Sequence, residues 1–413
     1  MTNTKERAMS QSSTRTGERF LPERRMMYYL FLLGFFAIFS TTISKNPVLP
    51  LFSQAIGAND AVIGLVAAVS PLAGILFSFP VGVLSDHIGR RKLLIVSGIV
   101  FLSAPLLYLL IFDPLWLIPV RFFHGTATAI LGPVISAVIA ERFPDTKGAM
   151  LGQYSSATLV GRTLAPLAGG IIISSFMMCP GLFPYRMVYI AAALAAVPVF
   201  IMTLMYREDV SAPFTLLPLS TFRESFTAFF SNARLSATAL VDMATYFSFG
   251  AFETFLPIIL VSRGISPYLI GIIFAVQVLI IAGTKPFFGK IADRFDKRIQ
   301  ISAGIIILGG SVALIPFTTD FSVILLVSVT FGLGMSLSTV ATSAYIADVA
   351  RKEQIGASMG ALSSTMDIGH AAGPLITGII VMAAGYVYGF LASFLLCIFV
   401  VVIFAVSVRN TSE

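Results

Sequence analysis

The chain has 413 residues, of which 57% are hydrophobic and only 11% are Asp, Glu, Lys or Arg. A soluble domain with this composition would expose too much apolar surface to water, so the sequence predicts an integral membrane protein. The net charge of +7 does not indicate nucleic-acid binding, because the cations stand in short runs between apolar segments. Cys179 and Cys397 lie in or beside apolar segments of opposite halves, which predicts neither a disulfide framework nor a metal cluster.

Twelve apolar runs are long enough to cross a bilayer as helices of about 20 residues. The first 25 residues are polar and show no pattern of a cleavable signal peptide. The predicted spans are residues 27–50, 61–84, 93–112, 115–140, 149–175, 187–206, 234–260, 267–288, 299–317, 321–347, 356–383 and 385–408. The predicted fold class is therefore an all-α integral membrane protein with twelve transmembrane helices.

Polar segments divide these spans into two groups of six. The expected organisation is a cytoplasmic N-terminal tail (1–26), an N-terminal bundle (27–206), a cytoplasmic linker (207–233), a C-terminal bundle (234–408) and a C-terminal tail (409–413). Residues 222–230 of the linker are consistent with either a short amphipathic surface helix or a loose tether. Outside the spans, Lys and Arg concentrate on the side of both termini, with Arg186 and Arg263 as exceptions. This distribution predicts that both termini are cytoplasmic.

A charged turn occurs once in each half. Residues 82–92, with the sequence GVLSDHIGRRK, change abruptly from apolar to cationic, and Gly89 would permit a positive φ there. Gly289 and Asp293 follow Gly82 and Asp86 at a separation of 207 residues. Other pairs keep this separation within one residue: Gly57 and Gly264, Gly64 and Gly271, Pro50 and Pro257, Gly161 and Gly369, and Pro166 and Pro374. The chain therefore contains an internal repeat of two similar halves.

Two parallel six-helix halves, each with a Gly-x-x-x-Asp turn between its second and third helices, resemble the major facilitator superfamily of secondary transporters. The resemblance covers nearly the whole chain and implies two pseudo-symmetric six-helix bundles. The second turn departs from the family's signature loop, with Phe295 and Asp296 where glycine is expected. The resemblance implies that the gating residues are Gly82, Asp86, Gly89, Arg90 and Asp293. From the residues alone, the alternative is that Asp86 is an incidental acid in a loop that sets topology.

Two further motifs in the N-terminal half support the resemblance. The sequence RFFHG from Arg121 in the fourth span is similar to the family's arginine motif linked to proton coupling; the alternative is an arginine that snorkels to water. The sequence GRTLAPLAGG from Gly161 in the fifth span looks like the glycine-proline motif of drug:proton antiporters, with Ala165 in a glycine position. Its counterpart lies in the eleventh span. The implied helix-packing residues are Gly161, Pro166, Gly169, Gly170, Gly369, Gly373 and Pro374.

Polar and ionisable residues interrupt several spans, although a charge at the bilayer centre costs roughly 2.5–3.5 kcal/mol on insertion scales. All of them fall on spans that the family uses to enclose its cavity. The expected substrate-cavity residues are Lys45, Asn46, Arg162, Tyr246, Phe249, Lys285 and His370, and the expected proton-coupling residues are Glu253, Arg121, His124, Asp242 and Asp367. Excess positive charge suits an anionic or zwitterionic substrate, and internal salt bridges would explain it equally well.

Glu253 is the first candidate for a carboxyl group that binds and releases a proton. It and Asn46 occupy equivalent positions in the two halves, each four residues before a matching proline, Pro50 or Pro257. We expect both helices to break there, because a break frees carbonyl groups that suit a gate or a cavity wall.

Three functions remain open at the level of sequence. The leading hypothesis is proton-coupled export of a small amphiphilic organic molecule, drug or metabolite, from a prokaryotic inner membrane. The second is proton-linked uptake or exchange of an organic anion bound by Lys45, Arg162 and Lys285. The third is a membrane sensor or scaffold that has lost transport. No enzymatic activity, cofactor or metal site is expected; the expected partners are a small organic substrate, the lipid bilayer and the coupling proton, with the monomer as the functional unit.

Overall fold

The computed structural model describes residues 23–207, 227, 229–351 and 355–409. Twelve helical spans lie in this part of the chain, which confirms the predicted number. The first span consists of two helices, Glu23–Ile43 and Val48–Ala55. The others are Asp60–Ile88, Arg90–Tyr108, Leu117–Arg142, Lys147–Ser175, Phe183–Met205, Ala233–Ser262, Pro267–Ala292, Lys297–Leu314, Phe321–Val349, Ile355–Ala384 and Tyr386–Arg409. Most of the predicted N-terminal tail, linker and C-terminal tail, with the suggested surface helix, lies outside the described residues.

Short polar caps and glycines separate the apolar runs. The side chain of Asn59 accepts a hydrogen bond from the backbone N–H of Val62 and begins the second span, and Asn232, Ser266 and Asp320 cap later spans in the same way. Gly89 has a φ of 91° and joins the second span directly to the third. The structure therefore confirms the positive φ predicted at Gly89.

Successive spans alternate in direction, so the bundle has two ends. We call the end that carries the start of the first span and the end of the twelfth the tail side, and the opposite end the far side. At the far side the second span crosses the eleventh, where Gly64 packs on the backbone of Pro374. The fifth span crosses the eighth in the equivalent way, where Gly271 packs on the backbone of Pro166. The repeat thus produces two related crossings between the halves.

The buried core is continuous between the halves only toward the far side, as far as the structure describes it. There, Phe52 and Tyr189 of the N-terminal half belong to one apolar cluster with Phe252 and Phe255 of the C-terminal half. On the tail side, the N-terminal half has a separate cluster built from its own spans, including Leu94 and other buried residues. The halves are therefore closed against each other at the far side and separate toward the tail side.

Two polar contacts reinforce the far-side closure. The hydroxyl of Tyr386, at the start of the twelfth span, donates to the carboxylate of Asp60 at 2.9 Å. The backbone N–H of Tyr268 donates to the hydroxyl of Ser174 at 3.0 Å. Each contact joins one half to the other, so far-side opening must break both.

The expected helix breaks occur in only one half. The first span is interrupted at residues 44–47, and Pro50 itself lies inside its second helix. The prediction for the seventh span is wrong, because Ala233–Ser262 continues through Pro257 without interruption. Nearly the whole of this helix is buried among the tenth, eleventh and twelfth spans, and this packing holds it helical although Pro257 donates no backbone hydrogen bond.

The far-side crossing yields a test of closure. Gly64→Ala should weaken it, because the added Cβ would collide with the backbone carbonyl of Pro374, and overpacking of this kind costs roughly 1–3 kcal/mol. The measurement is cross-linking yield between cysteines introduced at Ser174 and Tyr268 on the far side, in a Cys179→Ala background. The yield should fall in Gly64→Ala.

Gly74→Ala is the matched control, since Gly74 lies in the same span and a Cβ there meets open space. Equal cross-linking in the two variants would show that close packing at Gly64 does not hold the far side shut.

Candidate functional site

A charged network joins the two halves just below the far-side closure. The Lys45 ammonium group lies 2.6 Å from one carboxylate oxygen of Glu253. The side-chain amide of Asn46 donates to the other oxygen at 2.8 Å, and the Nε2 atom of His370 lies 3.2 Å from both Lys45 and Glu253. The first, seventh and eleventh spans therefore meet at one acid–base cluster, which we call the Glu253 network.

Local backbone structure places these side chains. Lys45 and Asn46 lie in the interruption of the first span, so the chain turns and both side chains point toward the seventh span. Gly250, one turn before Glu253, packs against the backbone of His370 and against Pro374. Because glycine has no side chain there, the seventh and eleventh spans approach closely enough for His370 to reach Glu253.

The network holds more proton-binding atoms than one fixed arrangement can satisfy. His370 Nε2 contacts a donor, Lys45, and an acceptor, Glu253, at the same distance. A neutral Nε2 either accepts from Lys45 or donates to Glu253, and it cannot do both. About 23% of the Lys45 side chain and 22% of the His370 side chain remain accessible. The network therefore has two alternative hydrogen-bond arrangements, and two of its side chains are partly accessible.

One face of the seventh span connects this network to a second group of charges. Asp242, Tyr246, Phe249 and Glu253 recur at helical spacing, and the rings of Tyr246 and Phe249 both lie near the His370 ring. Asp367 of the eleventh span is within electrostatic range of Tyr246. The two aromatic rings thus lie between Glu253 and Asp242, the two carboxylates on this face of the helix.

Asp242 borders a cavity of about 330 Å³ on the tail side of the C-terminal half. The hydroxyl of Thr342 donates to it at 3.2 Å. Lys285 of the eighth span lines the same cavity and is within electrostatic range of Asp242, but the two form no ion pair. Arg162 of the fifth span is within electrostatic range of Lys285 and of Lys45. Of the sequence-predicted cavity residues, Tyr246 and Lys285 line this cavity, whereas Lys45, Asn46 and His370 belong to the Glu253 network.

Arg121 and His124 lie apart from the Glu253 network, inside the N-terminal half. Arg121 is only 2% exposed, so the alternative of a snorkelling arginine is wrong. It faces the hydroxyl of Tyr108, which stacks on Tyr189 with ring centroids 4.4 Å apart. The Tyr108 hydroxyl also lies 3.4 Å from His124. Among the described residues, no carboxylate pairs with Arg121, and it acts on Lys45 only through the electrostatic field.

The predicted gating loop forms a contact within its own half. Arg90 binds Glu141, at the end of the fourth span, through both terminal guanidinium nitrogens. Beyond their place in the second span, Gly82 and Asp86 lie outside what the structure describes. Asp293, which corresponds to Asp86 in the second half, is exposed and has no ion-pair partner in the part of the chain that the structure describes.

The second half repeats the Arg90–Glu141 contact with different residues. Lys297 pairs with Asp348 at 2.8 Å, and each stands 207 residues after its counterpart in the first half. Sequence reasoning missed Glu141 and Asp348. Comparing charged residues at the repeat separation would have found them, because both members of the pair are kept at the same offset.

The predicted helix-packing glycines lie where backbones cross. Gly161 faces the backbone of Phe35, Gly369 that of Met243, Gly373 that of Phe247 and Gly170 that of Pro267. A Cβ at any of these positions would collide with backbone atoms. At Gly169 the nearest atoms would lie at 3.4 Å or more from a Cβ, so an alanine would fit there. The motif therefore serves close packing at four of its five glycines.

Comparison with known proteins agrees with this geometry. The sequence profile described as Major Facilitator Superfamily matches residues 30–259 and 238–413, once for each half. The chain belongs to this superfamily. An MFS-type transporter of Methanocaldococcus jannaschii is 25% identical over 84% of this chain and 90% of that protein. The quinolone resistance protein NorA of Staphylococcus aureus is 24% identical over 84% of this chain and 89% of that protein.

A solved structure with the same fold is a bacterial homologue of the human lysosomal transporter Spinster in an inward-facing, unoccupied conformation. It has a TM-score of 0.75 and 16% sequence identity, and the match covers 94% of this chain and 97% of that one. The chain is therefore a multi-pass MFS transporter. In such a protein, an acid–base contact between the halves lies where alternating access must make and break contacts.

The Lys45–Glu253 pair can be tested by a double-mutant cycle. Lys45→Met or Glu253→Gln alone should each lower the free energy of unfolding by roughly 1–3 kcal/mol, because each leaves a poorly solvated charge without its partner. The double variant should lose less than the sum of the two. Thermal unfolding of the detergent-solubilised protein gives the three differences.

Lys297→Met with Asp348→Asn is the comparison cycle, since the Asp348 side chain of this pair is exposed, with 59% of it accessible, and exposed pairs contribute about 0–1 kcal/mol. Strict additivity in the Lys45–Glu253 cycle would contradict a direct interaction.

Proposed function

We propose that this MFS transporter is a proton-coupled exporter that moves a small amphiphilic organic molecule across the plasma membrane by alternating access. The observation that carries the proposal is the Lys45–Glu253 ion pair, which joins the two halves just below the closed far side. The tail side is taken as cytoplasmic, in accordance with the distribution of Lys and Arg. The structure then corresponds to an inward-facing state.

Alternating access makes the state of Glu253 depend on the state of the carrier. Lys45 and Glu253 belong to different halves, so opening the far side separates them. A poorly solvated carboxylate that loses its cation is unstable, and it becomes neutral by taking a proton from the solution at the far side. When the far side closes again, Lys45 returns and its charge favours the ionised carboxylate. The proton then leaves toward the tail side, past His370.

This cycle carries a proton inward, and the export of a substrate during the same cycle makes the exchange an antiport. A proton enters Glu253 only from the far side and leaves only toward the tail side. A substrate that binds in the tail-side cavity of the inward-facing state and is released from the far-side-open state moves outward. The NorA relative is named for quinolone resistance, and the glycine-proline motif is similar to that of drug:proton antiporters. Both support export of a drug-like molecule.

One observation favours a second candidate function. Arg162 and Lys285 have no ion-pair partner among the described residues, and they lie within electrostatic range of each other. Two neighbouring cations without a partner are a suitable site for a carboxylate. Uptake or exchange of an organic anion, with protons moving in the same direction, is therefore the alternative.

Proteoliposomes with an imposed pH gradient distinguish the two functions by sign. For a proton antiporter, an acidic interior should drive accumulation of norfloxacin, because protons that leave exchange for substrate that enters. Glu253→Gln should remove this gradient-driven component, since an amide cannot release a proton. Fluorescence of the retained norfloxacin, corrected for protein-free liposomes, is the measurement.

Asp113→Asn is the matched control, because Asp113 is an exposed acid that caps a short turn after the third span, away from the network. It should retain gradient-driven accumulation. Accumulation driven instead by an acidic exterior would support the anion-uptake alternative, and gradient-driven export that persists in Glu253→Gln would rule out coupling through this carboxyl group.

A further inference from the structure

The cavity of the C-terminal half contains an acid and a base that do not pair with each other. Asp242 and Lys285 both line it. They are close enough to interact electrostatically, yet no ion pair forms between them. In a site of low dielectric constant, opposite charges that stay apart each require compensation from elsewhere.

Asp242 offers one free side of its carboxylate to the cavity. Asp242 lies on the buried seventh span and is only 4% exposed. One oxygen accepts the hydrogen bond from Thr342, and among the described residues no donor reaches the other. A cationic group in the cavity would complete the coordination of this carboxylate.

The positive group that lines the cavity is Lys285. Arg162 of the N-terminal half is not among the lining residues, but it lies within electrostatic range of Lys285. Two neighbouring cations repel each other, and an anion bound at Lys285 relieves this repulsion. Because Arg162 belongs to the other half, the binding of an anion would also depend on the relative position of the halves.

The remaining wall suits an apolar molecular body. Met359, Leu362, Met366 and Val340 line the cavity between the charged groups, together with the ring of Tyr246. Methionine side chains are flexible and polarizable, so they adapt to ligands of different shape. The volume of about 330 Å³ is at the lower end of the range for small-molecule sites.

We propose that this cavity binds a zwitterionic amphiphile, whose cationic group pairs with Asp242 and whose anionic group pairs with Lys285. The inference rests on the proposed function, because it takes this cavity as the site where the transported molecule binds. A ligand with a single charge satisfies one end of the cavity and leaves the other end uncompensated. The cavity therefore selects for separated opposite charges.

Three forms of one molecule test this selection. Norfloxacin carries both a piperazinium cation and a carboxylate, its methyl ester is a cation, and its N-acetyl derivative is an anion. Binding to the full-length protein in detergent, without any gradient, is measured by the intrinsic fluorescence of the quinolone ring. The wild-type protein should bind norfloxacin roughly tenfold or more tightly than either derivative, the ratio expected for one charge-assisted hydrogen bond.

Each charge should account for a different part of the preference. Asp242→Asn should remove the advantage of norfloxacin over the N-acetyl anion and keep its advantage over the ester. Lys285→Gln should do the reverse. Asp242→Glu and Lys285→Arg should retain both preferences, which shows that loss in the neutral variants reflects charge and not misfolding, and Asp113→Asn should match the wild type.

Equal affinity of the wild-type protein for all three forms, equal loss of all three in either neutral variant, or no norfloxacin binding at millimolar concentration would overturn the inference. These outcomes are separable from failure of the proposed function. If the charge preferences hold but no pH gradient drives transport, proton-coupled export is wrong and the ligand assignment stands. If gradient-driven transport occurs without these preferences, only the ligand assignment is wrong.

Discussion

The structure depends on how ionisable groups are accommodated inside an apolar bundle. A lysine or a glutamate in the middle of a span is costly unless an opposite charge and hydrogen bonds compensate it. Here Lys45 and Asn46 of one half supply both to Glu253 of the other. The charges of Lys45 and Glu253 therefore compensate each other when the two halves are in contact at the far side. This makes the buried pair sensitive to the relative position of the halves.

The internal repeat explains why the partners meet at this place. A two-fold relation between the halves brings equivalent positions face to face near the axis, and Asn46 and Glu253 are such a pair, 207 residues apart. The same relation produces the two far-side crossings of glycine on proline backbone and the two tail-side ion pairs, Arg90–Glu141 and Lys297–Asp348. The symmetry is broken at this pair, because an amide faces a carboxylate across the axis.

Much of this arrangement could be predicted from the sequence, and the failures have physical causes. Twelve spans follow from apolar length, and the central position of Glu253 follows from the cost of burying its charge. The break expected at Pro257 does not occur, because a proline marks where a helix can break and tertiary packing decides whether it does. The partners of Glu253 were not predictable as pairs, since Lys45 and His370 lie 208 and 117 residues away along the chain and only the folded bundle brings them together.

The separation between the two acidic sites of the seventh span is itself informative. Glu253 is compensated by protein groups from both halves, whereas Asp242 receives one hydroxyl and leaves an oxygen toward the cavity. Two carboxylates on one helix face, three turns apart, therefore have different electrostatic environments. A carboxylate with a complete set of protein partners suits a proton that exchanges as those partners move. A carboxylate with an incomplete set suits a ligand that completes it, and the aromatic rings of Tyr246 and Phe249 lie between the two carboxylates on the same helix face.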